Sequence, residues 1–153
     1  MKQILKVPVI ILLLSACYNN STEPTPTPVV AEENKTAPAH SCYVYTSAKD
    51  TVSLHFQISG DIITGDLAYN YFEKDKNTGT IQGNIKGDTI FAAYTFMSEG
   101  RESIRDVAFL KTGNDFVEGY GDAEEKNGEM IFKNTSGLNF NNNLILKNVA
   151  CEK

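Results

Sequence analysis

The chain has 153 residues, a formal net charge of −5, no tryptophan and three cysteines. Its 14 basic residues are outnumbered by 19 acidic ones and lie scattered, which excludes the clustered basic footprint of a nucleic-acid binder. With only two histidines, and the cysteines assigned below to other work, no set of ligands has zinc spacing. No cofactor and no metal is expected.

The first residues carry Lys2 and Lys6 and then a short apolar run, Val7 to Leu14, the layout of a secretory signal. That run is shorter than the roughly 20 apolar residues a membrane-spanning helix needs. Leu14-Ser15-Ala16-Cys17 resembles the bacterial lipobox, which implies a lipoprotein signal peptide over residues 1–16, cleavage before Cys17 and acylation of its sulfur. Several acyl chains anchor far better than one, at about 0.8 kcal/mol per buried CH₂. The expected address is the cell envelope, with the membrane as a partner through lipid on Cys17. Tyr18 and Asn19 follow, and no acidic residue stands beside Cys17, so nothing resembles an inner-membrane retention signal. The outer membrane facing the periplasm is the expected location, and surface display stays open.

Residues 17–41 are rich in Asn, Ser, Thr, Glu and Pro, including Thr22-Glu23-Pro24-Thr25-Pro26-Thr27-Pro28. Such a segment buries too little apolar surface to offset chain entropy, and alternating proline favours an extended spacer. It reads as a disordered linker holding a globular domain off the lipid surface. The remaining stretch, residues 42–153, fits one domain. With Cys17 assigned to lipid, Cys42 and Cys151 stand at the two ends of that domain in an oxidising compartment, where a disulfide between them is expected.

Beyond Cys42 the apolar pattern has period two. Val52, Leu54, Phe56 and Ile58 alternate with Thr51, Ser53, His55 and Gln57. Ile63, Leu67, Tyr69 and Tyr71 share a face, and so do Ile90, Ala92, Tyr94 and Phe96. Val107 and Phe109 alternate with Ala108 and Leu110, as in a strand buried on both sides. Phe116, Glu118 and Tyr120 follow, then Met130 to Phe132 and Leu144 to Val149. Turn signals separate the runs: Ser59-Gly60-Asp61, Lys86-Gly87-Asp88, Gly113-Asn114-Asp115 and Lys126-Asn127-Gly128. The expected fold is all-β, an antiparallel meander of eight or nine strands. Exposed sheet edges are avoided if it closes into a small barrel; a curved β-sandwich is the alternative. Gly65, Gly83, Gly119 and Gly121 suit the bends that closure needs.

Little catalytic chemistry is visible. Asp75 to Ile81 resembles half of a calcium loop, but glycine is fifth rather than sixth and Lys86 stands where a bidentate glutamate is needed. His40 falls in the linker and His55 on a polar strand face. There is no Gly-x-Ser-x-Gly elbow, so the chain is not expected to be an enzyme. The unusual segment is Ser98-Glu99-Gly100-Arg101-Glu102-Ser103-Ile104-Arg105-Asp106, dense in charge between two good strands. Arg105 shares a face with Val107 and Phe109, and a cation facing inward needs a partner. Glu118, between Phe116 and Tyr120, would supply it. An internal Arg105–Glu118 pair near Tyr94 and Tyr120 would orient a ligand or fix strand register.

The Gly79 to Asp88 stretch resembles hairpins of lipocalin-like barrels. Tyr71-Phe72-Glu73-Lys74-Asp75-Lys76-Asn77, Ser98-Glu99-Gly100 and Glu118-Gly119-Tyr120-Gly121 resemble blocks in a group of small bacterial lipoproteins, which implies a barrel and brings no activity with it. The chain also resembles membrane-bound lysozyme inhibitors, small disulfide-bearing barrels on a lipid tether that insert a Ser/Gly-containing loop into the lysozyme cleft. Ser98-Glu99-Gly100 would be that loop, although the Lys-Gly motif that follows an aromatic strand in that family has no counterpart here. The expected function is a monomeric binding module for a small apolar ligand or an envelope protein, with Tyr94, Ser98, Glu99, Arg105, Glu118 and Tyr120 as binding residues. A structural or assembly accessory of the envelope is the alternative.

Overall fold

The structure, a computed structural model, describes residues 40–74, 76–141 and 144–151. The expected signal peptide, the lipid site at Cys17 and nearly all of the linker lie outside the described residues. Ten strands follow in chain order. They are β1 (His40–Thr46), β2 (Thr51–Ser59), β3 (Ile62–Asn70), β4 (Asn77–Lys86), β5 (Thr89–Ser98), β6 (Arg101–Thr112), β7 (Asp115–Gly119), β8 (Ala123–Lys126), β9 (Glu129–Phe132) and β10 (Ile145–Val149). His40, placed in the linker by composition, opens β1.

The chain folds as a closed antiparallel barrel with an appended hairpin. Strands β1 to β7 pair in sequence, and β10 closes the wall between β7 and β1. The period-two pattern dictates this arrangement, because each strand can bury only alternate residues and closure leaves no unpaired edge. Tyr43, Leu54, Phe56, Leu67, Ile81 and Phe109 are among the inward side chains that fill the interior. Ala108 and Val117, on the opposite face, are also buried. Over that face the ring of Phe140 occupies the place a Cβ on Gly119 would take.

Two-residue turns set the register. Gly60, Gly87 and Gly113 each take positive φ at the first turn position, while Glu99-Gly100 and Asn127-Gly128 take it at both. At the end of the barrel carrying the β2–β3, β4–β5 and β6–β7 turns, each connection leans on a strand further along. Ile85 N donates to Asp61 O at 3.0 Å and Lys111 N to Asp88 O at 2.8 Å. Asp115 accepts from Lys147 Nζ at 2.7 Å and from Asn148 N at 3.2 Å, tying β7 to β10. The Lys147 hydrogen bond holds this carboxyl below the usual carboxylate range.

Curvature is stored where glycine faces inward. A Cβ on Gly65 would run into the His55 carbonyl oxygen and the Phe56 backbone across the β2–β3 pair. Gly65→Ala is therefore expected to cost about 1–3 kcal/mol, since strand backbones must separate to admit the methyl. A shift of the urea midpoint checks this; an unchanged midpoint would mean the wall yields there without cost.

One element departs from the simple meander. After β7 the β8–β9 hairpin leaves the wall, and β9 pairs with β6 in parallel, Ile104 opposite Glu129 and Arg105 opposite Met130. The pairing of β6 with β7 runs from Thr112 opposite Asp115 to Ala108 opposite Gly119. Beyond Ala108, β6 exchanges β7 for β9, and Asp106 Oδ2 accepts from Phe132 N at 2.9 Å to hold the exchange. The barrel wall thus splits between β6 and β7.

Candidate functional site

A buried polar cluster lies beside this split. Arg105 on β6, Glu118 on β7, Tyr69 on β3 and Tyr94 and Phe96 on β5 all occupy inward positions, because each lies an even number of residues from a core neighbour on its strand. Glu118 is 4% exposed. Its Oε1 accepts from the Tyr69 hydroxyl at 2.6 Å and its Oε2 from the Tyr120 hydroxyl at 2.9 Å. The Arg105 guanidinium sits 4.9 Å from the Tyr69 ring centre, 5.5 Å from that of Tyr94 and 5.6 Å from that of Phe96. Tyr94 and Phe96 stack at 4.6 Å, and Tyr69 meets Tyr94 edge-on at 5.8 Å.

Arg105 and Glu118 are brought into one cluster, with Tyr69 between them. Glu118 stands opposite Phe109, four residues along β6 from Arg105, an offset of about 13 Å at the usual rise per residue. Tyr69 spans the gap: its hydroxyl donates to the carboxylate and its ring lies beneath the cation.

The electrostatics follow from burial. Desolvation raises the Glu118 carboxyl above its ordinary value, and the two tyrosine hydrogen bonds and the field of Arg105 pull it partly back. Burial first, and the neighbouring Glu118 second, push Tyr69 well up, and Tyr120 rises for the same reasons. Both hydroxyls therefore stay protonated and act as donors to Glu118. Tyr94 is pushed up to about 12 by burial, against the lowering field of Arg105. Its hydroxyl and Arg105 Nε are buried without a hydrogen-bond partner among the described residues, and groups left in that condition cost about 1–3 kcal/mol each.

Beside the cluster the split opens into a cavity of about 280 Å³. Arg105, Asp106, Glu118 and Tyr120 are its polar lining, and Val107, Met130 and Phe132 are among the apolar residues. A second hollow of about 240 Å³ lies at the opposite barrel end, lined by Tyr43, Phe56, Ile58, Ile90 and Phe116 with Lys111 at its rim.

Of the residues singled out in the sequence, Tyr94, Arg105, Glu118 and Tyr120 converge. Ser98 and Glu99 do not join them: they belong to the tight β5–β6 turn, where Ser98 pairs with Arg101 and Glu99 takes φ 50°. Cys42 and Cys151 form a disulfide with their Cα atoms 5.3 Å apart. Sequence reasoning placed Tyr69 on a core face without seeing that it joins Glu118 to Arg105. It had no signal for Met130 and Phe132, which reach the site only because β9 crosses to β6. Compared with protein-family models, curated proteins and solved structures, the chain matches none of them.

Proposed function

We propose that this chain is a non-catalytic binding module of the cell envelope, held to a membrane through lipid on Cys17, which takes a small and mostly apolar ligand in the split between β6 and β7. The envelope address rests on the signal-like first residues and the lipobox-like Leu14-Ser15-Ala16-Cys17. The observation that carries the ligand reading is the cavity of about 280 Å³ whose lining sets Arg105 and Glu118 beside Met130 and Phe132. Its volume is near the lower bound of roughly 300–1,000 Å³ for ligand pockets, which fits a small molecule. Arg105 offers donors to an acceptor on that molecule, and the Glu118 carboxylate nearby disfavours a multiply charged anion. A carbonyl or hydroxyl head on an apolar body suits both.

Native mass spectrometry on the full chain, taken in detergent from its own envelope, tests this. A retained small molecule is expected, with occupancy lowered about tenfold or more in Arg105→Gln, because one charged hydrogen bond is worth about 1.5–3 kcal/mol. A clean apo mass in repeated preparations would overturn the ligand reading.

A protein partner is the second reading, favoured by Phe72 and Met97, exposed near the same barrel end as the charged β5–β6 turn. Lysozyme is the partner that the Ser98-Glu99-Gly100 resemblance suggests. Inhibition of lysozyme by the chain, lost on changing that turn, would favour this reading over the first.

A further inference from the structure

On the outer face of the barrel, where β1, β2 and the segment after β10 meet, three side chains with metal-ligating atoms converge and a fourth, His40, stands beside one of them. His40 and Cys42 lie two residues apart on β1 and so point to one side. Cys42 pairs across the ladder with His55, and Cys151 reaches the same place through its bond to Cys42. Ligand atoms of Cys42, His55 and Cys151 all lie within 4.8 Å of one another. His40 Nδ1 stands 3.1 Å from His55 Nε2.

These separations put the four residues within side-chain rotation of a tetrahedral zinc site. Bond lengths of about 2.0–2.1 Å to nitrogen and 2.3 Å to sulfur place two ligating nitrogens about 3.3 Å apart and two sulfurs about 3.8 Å apart. The imidazoles are already at that spacing, and separated thiolates reach theirs by side-chain rotation. The other ring nitrogen of His55, Nδ1, lies 3.7 Å from Asp66 Oδ2 on β3. That is longer than a hydrogen bond; a small shift of the exposed carboxylate would let it accept from Nδ1, which orients a ligating imidazole and leaves Nε2 for the metal.

We propose that this cluster is a redox-gated Cys₂His₂ site for Zn²⁺, with His40, Cys42, His55 and Cys151 as ligands and Asp66 as the positioning residue behind His55. In the oxidised chain the sulfurs are bonded to each other. An external thiol reductant opens the site: two thiols supply two electrons and two protons to the Cys42–Cys151 bond, leaving two cysteine thiols and the disulfide of the reagent. Zn²⁺ then displaces both thiol protons to solvent, and two thiolates balance its charge. The metal joins β1 to the segment after β10 as the disulfide does, so the ends of the barrel stay fastened in either state.

Cobalt substitution on the full chain in detergent tests the site. A phosphine serves as reductant and leaves as its oxide. The reduced chain is expected to bind one Co²⁺ with a thiolate-to-cobalt charge-transfer band and the strong visible bands of a tetrahedral ion, competed away by Zn²⁺. The oxidised chain should lack the charge-transfer band. His40→Ala and His55→Ala should each weaken binding at least tenfold, and Asp66→Asn about 10–100-fold. If reduction unfolds the chain, recovery of the β-sheet circular dichroism signal on adding metal supports the site equally. Absence of the charge-transfer band at stoichiometric Co²⁺, folded or not, overturns it. So does equal affinity in the His40→Ala/His55→Ala double variant, where the thiols alone would be holding the ion.

Discussion

Replacing Cys42 and Cys151 with serine is expected to lower the unfolding free energy by about 4–5 kcal/mol, measured by urea denaturation in a chelating buffer. The two cysteines are 109 residues apart, so their bond closes nearly the whole domain into a loop. In the chain-entropy view a loop of about 100 residues stabilises by roughly 4.7 kcal/mol, through restriction of the unfolded ensemble. The folded side points the same way. β10, the strand that closes the barrel, has five residues and is held to β7 by two register pairs and to β1 by three. By contrast, β5 and β6 share ten. Without the disulfide the wall should open first beside β10, and amide exchange there should quicken before exchange in β5 and β6. A loss below about 1 kcal/mol would mean that the unfolded chain already keeps its two ends close.

The barrel was legible in the sequence because alternation and turn chemistry are local properties. Ile63, Leu67 and Tyr69 face inward for the reason their spacing implies, and the Asn127-Gly128 turn takes the left-handed conformation that residue pair favours. Period two also placed Arg105 and Glu118 on inward faces. It says which side of a sheet a residue occupies and nothing about its height along the wall. The four-residue offset between Arg105 and the partner of Glu118 is a matter of register, settled by the β6–β7 turn. The crossing of β9 to β6 was hidden for a related reason: a short hairpin of mostly exposed residues carries no core pattern that names its neighbour. The histidine–cysteine cluster was invisible because His40 and His55 are 15 residues apart and Cys42 and Cys151 are 109 apart. Zinc spacing in a sequence reveals sites built on one local loop, whereas a barrel assembles ligands across strands.

Arg105→Met is expected to lose about 2–4 kcal/mol of stability at neutral pH. Removing the guanidinium withdraws its field from the buried Glu118 carboxylate, whose tyrosine hydrogen bonds remain; breaking a fully buried ion pair costs about 3–5 kcal/mol. The expected figure is lower because Arg105 keeps some contact with solvent. The pH dependence separates this cause from lost packing over Tyr69 and Tyr94. Burial raises the Glu118 carboxyl and Arg105 lowers it, so the variant should raise it further. A carboxyl whose folded value lies above its unfolded one supports folding fully below the unfolded value, and that support fades as pH rises through the folded value. The charge-dependent part of the loss should therefore be absent below the ordinary value of 4.5 and grow as pH rises through the folded value. Adding Glu118→Gln to Arg105→Met should flatten the curve and restore most of the stability, since glutamine still accepts from Tyr69 and carries no charge to strand. Urea unfolding of wild type, single and double variants between pH 4 and pH 8 reads all three curves. A loss of equal size at every pH, with no rescue by glutamine, would assign Arg105 to packing alone and remove charge compensation from its role.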